Sequence, residues 1–273
     1  MNAGAPERIV CLTEETTETL YLLGEERRIV GISGYTVRPP RARREKPRVS
    51  AFTSANFERI EALRPDLVIG FSDMQAEIAR ALIQQGFSVL VFNQRTIDGI
   101  FAMICTLSAV VGAGRRGELL VARLRENLDS IRGSAARLPR RPRVYFEEWD
   151  EPMISGIGWV SELVQLAGGE DIFRELASGA KAAERIVADP MEVVRRKPDI
   201  IAASWCGRKF RPERVRARPG WNEIPAVRDG ELYEIKSAEI LQPGPAALTD
   251  GVRRLHEIFT AWAFRVPGAT AIA

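Results

Sequence analysis

Two groups of carboxylates could do chemistry. Glu14 and Glu15 follow the apolar run "RIVCL" (8–12), and Glu147, Glu148 and Asp150 close the run "RVYFEEWD" (143–150). Carboxylates gathered in this way hold a cation or a metal, or accept hydrogen bonds from hydroxyl and amide donors on a neutral ligand. They also cap helix N-termini, where negative charge is favoured. Glu14 and Glu15 precede a helical pattern, so both readings stay open for them. Aromatic residues recur after the same apolar runs: Tyr35, Phe52, Trp149, Trp205, Phe210 and Trp221. Large planar rings in a cleft give apolar contact at low entropy cost. The polar neighbours of Trp149 and Trp205 favour ligand contact over core for this set. Ser72, Asp73, Lys209, Lys236, Gln242 and Pro243 fall at corresponding points of the chain.

Catalysis finds little support. The chain has no G-x-S-x-G elbow, no H-E-x-x-H and no G-x-x-x-x-G-K-[ST] loop. Cys206 lies among the strand-end residues, but a nucleophilic cysteine needs a base. The single histidine, His256, sits in the helical pattern "GVRRLHEIFTAWA" and is expected on a helix surface. A histidine-rich metal site is excluded by counting. "GAGRRG" (112–117) joins two helical stretches and is no phosphate loop. The chain is therefore expected not to be an enzyme and to need no metal. An enzyme using Glu148 or Asp150 as a general base is the minor alternative.

The sequence has 273 residues, 45% hydrophobic and 27% charged, with a net charge of +3. That is globular composition, long enough for a substantial core. So mild a basic excess gives no argument for nucleic acid. The densest basic stretch, "RPPRARREKPR" (38–48), reads as a solvated loop. Cys11, Cys105 and Cys206 are too few and too scattered for a disulfide framework or a zinc pattern. Cys11 and Cys105, in apolar surroundings, are expected to be buried. "MNAGAPERIVCL" is not a secretory signal, and no apolar run approaches the ~18 residues of a membrane span. The chain is then either cytoplasmic or one whose signal has been removed.

The elements that must position these residues alternate. "RIVCL", "RIVGIS" (28–33), "LVIGF" (67–71) and "SVLVFN" (88–93) read as strands, with helical patterns between them. This is the signature of a parallel α/β sheet. Helical patterns at 97–112 and 115–138 interrupt the alternation, which resumes with strands at 143–149, 199–205 and 231–235 and a last helix near 248–263. One arrangement occurs twice. Asn56 caps a short helix that ends at Pro65-Asp66 before a strand; Asp189 caps one that ends at Pro198-Asp199 before a strand. The two caps are separated by the same offset as the two prolines. The expected fold is α/β, two Rossmann-like lobes with parallel sheets joined by a single long helix: residues 1–112, a connecting helix 113–139, and residues 140–273. Ligands of such sheets bind beyond the carboxyl ends of the strands, which is where the carboxylates and aromatics fall.

This layout resembles the class III solute-binding proteins of ABC importers, and among them the cobalamin-binding proteins. The resemblance covers about residues 8–262. It rests on "RIVCLTEETTETLYLLG", "VGISGYTVRPP", "VSAFTSANFERIEALRPDLVIG" and "ISGIGWVSELVQLAGGEDIF". The most specific pattern, N-x-E-x-I-x-x-L-x-P-D-L-V, is complete. The resemblance implies a bilobed importer protein that captures a corrinoid such as cobalamin between its lobes and requires no cofactor. It implies ligand contact for Tyr35, before the Pro-Pro, and for Phe52, where the family has a tryptophan. Glu14, Glu15, Glu148, Trp149, Trp205, Phe210, Trp221 and Gln242 complete the expected ligand set. Glu58 matches a glutamate that docks on the importer's membrane subunits. Glu192 is the expected counterpart in the second lobe, although strict alignment places Met191 opposite Glu58. A periplasmic monomer follows from the resemblance. Ferric-siderophore binding on the same fold is an alternative, against which the acidic strand ends argue mildly. A cytoplasmic carrier or sensor of a small ligand is another.

Overall fold

Residues 4–265 are described by a computed structural model. They divide into two compact units, Met1–Arg125 with Gln242–Ala246, and Glu126–Leu241 with Ala247–Ala273.

The first unit is a five-stranded parallel sheet of β1 (Ile9–Cys11), β2 (Ile29–Ser33), β3 (Arg48–Ser50), β4 (Leu67–Phe71) and β5 (Val89–Phe92), in the order β3-β2-β1-β4-β5. The chain winds outward from β1 to β3, then returns to the other side of β1 for β4 and β5. The switch point therefore lies at the carboxyl end of β1, where such sheets take their ligands. The helices are α1 (Glu14–Leu22), α2 (Ala42–Glu45), α3 (Phe57–Ala62), α4 (Ala76–Gln84), α5 (Ile97–Val110) and the first half of α6 (Gly114–Ala135). Val10, Leu12, Val49, Ile60, Val68, Ile78 and Leu82 form a core beside the sheet. The basic stretch 38–48 is partly ordered by ion pairs, Arg38 to Glu18 at 2.9 Å and Arg41 to Glu26 at 3.0 Å, and contains α2.

The second unit is built on β6 (Arg143–Asp150), with β7 (Met153–Ser155), β8 (Glu170–Asp171), β9 (Ile200–Ala203) and β10 (Leu232–Glu234). The order is β10-β9-β6-β7, with β8 beside β6. β7 runs antiparallel to β6, because Glu151 and Pro152 turn the chain straight back; the other pairs are parallel. Its helices are α7 (Gly158–Leu166), α8 (Pro190–Arg196), α9 (Pro212–Arg216), α10 (Pro225–Arg228), α11 (Ser237–Ile240) and α12 (Val252–Ala263). His256 is not a free surface residue of α12. Its ring nitrogens lie 2.9 Å from the Ala167 carbonyl and 2.9 Å from the Ser134 hydroxyl, tying α12 to α6 and to the end of α7. Cys11 is buried, as its setting predicts, but Cys105 is exposed on α5.

The repeated Pro-Asp motif does the same work in both units. Asn56 accepts from the amide of Arg59 at 2.9 Å, and Asp189 from that of Met191 at 2.9 Å. Each helix is followed by a basic residue in the left-handed region, Arg64 and Lys197, both at φ 45°. Each aspartate then ties the neighbouring strand. Asp66 donates its amide to the Arg8 carbonyl and accepts from the amides of Glu7 and Arg8; Asp199 does the same with Arg143.

Two details refine the expected lobes. The long helix is shared by the units rather than standing between them, and Gln242–Ala246 belong to the first unit. That returning segment is held by two hydrogen bonds. Gln94 Nε2 donates to the Pro243 carbonyl at 2.9 Å, and the Ala246 amide donates to the Glu18 carboxylate at 3.0 Å. Gly244 is required between them, since a Cβ there would lie 2.5 Å from that of Glu15.

Candidate functional site

In the first unit the carboxyl ends of the strands carry α1 and three loops. Thr13 and Glu14 follow β1. Glu15, in the first turn of α1, is only 1% exposed; one carboxylate oxygen accepts from Thr13 Oγ1 at 2.7 Å and the other has no hydrogen-bond partner. Burial pushes its carboxyl up to about 7, against the pull of the Thr13 hydrogen bond. Glu14 is partly exposed. Burial first, then repulsion by Glu15 and Glu18, raises it to about 8. Glu15 therefore lies beneath the face, while Glu14 reaches it. Tyr35, after β2, is 55% exposed, and its backbone turn is held by Ser33. Phe52, after β3, is half-buried; its carbonyl accepts from the buried Gln75 amide at 2.9 Å. Gln75 also receives the Phe71 amide at 2.9 Å, so one side chain couples the ends of β3 and β4. Gln242 is half-buried at the start of the returning segment.

The second unit treats its carboxylates differently. Glu147 is fully buried and bidentate with Arg218, at 2.6 and 3.0 Å, and also accepts from Trp205 Nε1 at 2.9 Å. Glu148 is clamped by the buried Arg185 at 2.5 and 3.1 Å. Asp150 lies 2.6 Å from Arg214 and 3.6 Å from Arg208. The expectation of an acidic rim open to a ligand is corrected here, because each acid has an internal arginine. The mild argument against an anionic ligand goes with it.

Three of the expected aromatic contacts are also corrected. Trp205, Phe210 and Trp221 are 2%, 3% and 0% exposed. They form one apolar core with Tyr145, Phe173 and Val215. Phe210 packs edge-on to Trp205 at 5.1 Å, and Tyr145 edge-on to Trp221 at 6.1 Å. The polar neighbours of Trp205 suggested a surface, but arginines from elsewhere in the following loop fold back over the rings, Arg214 lying 5.6 Å from the Trp205 centroid. Arg218 lies 4.4 Å above Trp221. Trp149 alone of the second-unit set stays half-buried, with Arg208 4.7 Å from its ring centroid. Arg185, Arg208, Arg214 and Arg218 were not singled out from the sequence. The signal for three of them was the basic run "RKFRPERVRAR" (208–218) directly after the strand that became β9.

The docking candidates differ too. Glu58 is exposed in the first turn of α3 and makes no ion pair within the described residues. Glu192 is held by Arg195 at 2.6 Å and Arg196 at 2.8 Å, and hydrogen bonds from Arg196 and then Arg195 lower its carboxyl. Counted from the caps, Glu58 corresponds to Met191, which is exposed. Among the described residues no group of three or more Asp, Glu, His or Cys is arranged for a metal ion. No described helix is long and apolar enough to cross a membrane.

A family model described as periplasmic binding protein matches residues 9–239. The chain belongs to that family. The vitamin B12-binding protein of Vibrio vulnificus (strain YJ016) is 25% identical over 255 residues, covering 91% of this chain and 88% of that protein. An uncharacterised ABC transporter substrate-binding lipoprotein of Bacillus subtilis (strain 168) is 23% identical, covering 92% of this chain and 79% of its own length. Among solved structures, the periplasmic vitamin B12-binding protein of Vibrio cholerae superposes with a TM-score of 0.74 at 25% identity, covering 96% and 99% of the two chains. A periplasmic heme-binding protein from Roseiflexus sp. RS-1 gives 0.77 at 23%, covering 92% and 98%. The latter likeness shows the fold alone. The family binds solutes rather than transforming them, and this chain is a binding protein of the ABC-import type.

Proposed function

We propose that this protein captures a corrinoid and delivers it to the membrane subunits of an ABC importer from outside the inner membrane. The observation that carries the reading is an accessible aromatic at the strand-end face of each unit, Tyr35 in the first and Trp149 in the second. Phe52, held by Gln75, is the second ring of the first unit. The B12-binding relatives support a corrin ring as the ligand these rings would meet. Glu14 and Gln242 supply polar atoms for the amide-bearing periphery of such a ring, and Glu58 is the free acidic group for docking. Calorimetric titration with cyanocobalamin tests the reading. Micromolar or tighter binding is expected, weakened about tenfold, or ~1.4 kcal/mol, by Tyr35→Ala and again by Trp149→Ala. Absence of heat in the wild type, with no rise in melting temperature on adding cyanocobalamin, overturns the corrinoid.

A further inference from the structure

The hairpin that carries Trp149 is held from far along the chain. β6 and β7 pair antiparallel, but their register shifts at Glu148: Glu147 faces Ser155, Trp149 faces Ile154, and Glu148 is the residue left over. Such a bulge re-aims the side chains beside it. β7 has only three residues, so the strands alone fix the register weakly. Arg185 fills that gap. Its guanidinium clamps the Glu148 carboxylate at 2.5 and 3.1 Å and donates to the Ser155 carbonyl at 2.6 Å, so one side chain grips both strands at the bulge. The hairpin answers through its other strand. The Ser155 hydroxyl donates to the Arg185 carbonyl at 3.2 Å, and the Val187 amide donates to the Met153 carbonyl at 2.9 Å. Gly179 leaves room for the Arg185 stem, since a Cβ there would lie 3.1 Å from its Cγ. Trp149 is tied to the hairpin tip, its indole N–H donating to the Glu151 carbonyl at 2.8 Å. The ring therefore moves with the hairpin. The Arg185 and Glu148 side chains are 2% and 20% exposed. A pair so buried is a poor source of net stability, because desolvation offsets its attraction; the best-attested use of such a pair is to fix one register among several.

We infer that Arg185 is a positioning residue for ligand binding: through Glu148 and the Ser155 carbonyl it sets the register of the β6–β7 hairpin, and with it the place of the Trp149 ring. Glu148, expected as a ligand contact, belongs to this clamp instead. The inference rests on the reading that Trp149 meets the ligand.

Four forms of the full chain test it: the wild type, R185M/E148M, W149A, and the triple variant. Exchanging the ion pair for two apolar side chains of similar length removes the clamp without leaving a buried charge, so the melting temperature should stay within a few degrees. Cyanocobalamin binding should weaken about tenfold in R185M/E148M and in W149A, and the triple variant should bind no worse than W149A. That lack of additivity separates positioning of Trp149 from a general loss of structure. Full affinity in R185M/E148M overturns the inference. So does a triple variant another tenfold weaker than W149A, which would mean that Arg185 acts on some other contact. Full affinity in W149A overturns both the inference and the placing of Trp149 against the ligand. If the wild type binds no cyanocobalamin, the corrinoid reading falls and amide hydrogen exchange without ligand decides the inference. Exchange in the β6–β7 hairpin should quicken in R185M/E148M while that of β9 and β10 stays the same; unchanged hairpin exchange overturns the clamp. Arg185→Lys, which keeps the charge but loses the fork, guards against a double variant that does not fold. It should show a smaller loss of affinity that is again absent in the W149A background, and full affinity there overturns the inference too.

Discussion

At the switch point of its sheet each unit places a cluster of carboxylates, and the two clusters are handled in opposite ways. After β1, Glu15 is buried with only a threonine hydroxyl for company, and both it and Glu14 hold their protons into the neutral range. At the end of β6, Glu147, Glu148 and Asp150 are each set against an arginine. The same topological position therefore yields a face whose two carboxyls are raised by burial and a face whose acids are each held by an arginine. The comparison shows where charge can be spent on a ligand. In the first unit it is the partly exposed Glu14; in the second the acids are already taken by arginines.

The largest effect should come from breaking the ionic side. Arg218→Ala leaves Glu147, 0% exposed, as a buried charge with one indole N–H beside it. Loss of one member of such a pair costs about 3–5 kcal/mol, and here it also strips the guanidinium from the face of Trp221. Urea unfolding of the variant at neutral pH should show that loss. A change below ~1 kcal/mol would mean that Glu147 finds water or a proton instead, and that the two units differ less than their geometry says.

The opposite sign is expected in the first unit. Glu15 has an ordinary value of 4.5 and a folded value of about 7. Between these the folded chain binds a proton that the unfolded chain has released, so its contribution to stability is complete below pH 4.5 and is lost as pH rises through 7. Glu15→Gln keeps an acceptor for the Thr13 hydroxyl and removes the ionisation. It should make the fall in stability between pH 5 and 8 shallower, the remainder being that of Glu14, and leave the variant roughly 2 kcal/mol more stable than the wild type above pH 8. Melting temperatures across that range read it directly. Parallel pH profiles for variant and wild type would contradict the buried carboxyl.

The elements of both units were legible because apolar runs, caps and prolines act locally. "RIVCL", Asn56 and Pro65 report on strand, cap and stop within a few residues of themselves. The first-unit face was legible for the same reason, since Tyr35 lies directly beyond the end of its strand. The second-unit face was not. Whether Trp205 and Trp221 lie in the core depends on α9 and its following turn folding back over β6 and β9. Whether Glu148 is free depends on Arg185, far along the chain. Pairing of distant charges has no period and no local composition, so the partners of a run such as "RKFRPERVRAR" are not visible until tertiary structure brings Glu147 and Asp150 to it. β7 was missed because three residues are too short a pattern, and its antiparallel course follows from the turn at Glu151 and Pro152.

If the strand-end faces diverge, the opposite ends of the sheets should not. Arg64 and Lys197 occupy the same left-handed turn, at φ 45° in each case, before Pro65-Asp66 and Pro198-Asp199. An L-residue pays about 1–2 kcal/mol for that conformation, of which the greater freedom of glycine in the unfolded chain returns about half. Arg64→Gly and Lys197→Gly should therefore each raise stability by about 0.5 kcal/mol, and by the same amount, because neither turn depends on the long side chain. The Arg8 guanidinium hydrogen bonds to the Leu63 and Arg64 carbonyls use backbone atoms and survive the change. Equal gains in paired thermal melts would mark the turn as one local unit used twice. A gain at one site and a loss at the other would mean that the two turns share a shape but are held by different surroundings, extending the divergence of the carboxylate clusters to this end of the sheets as well.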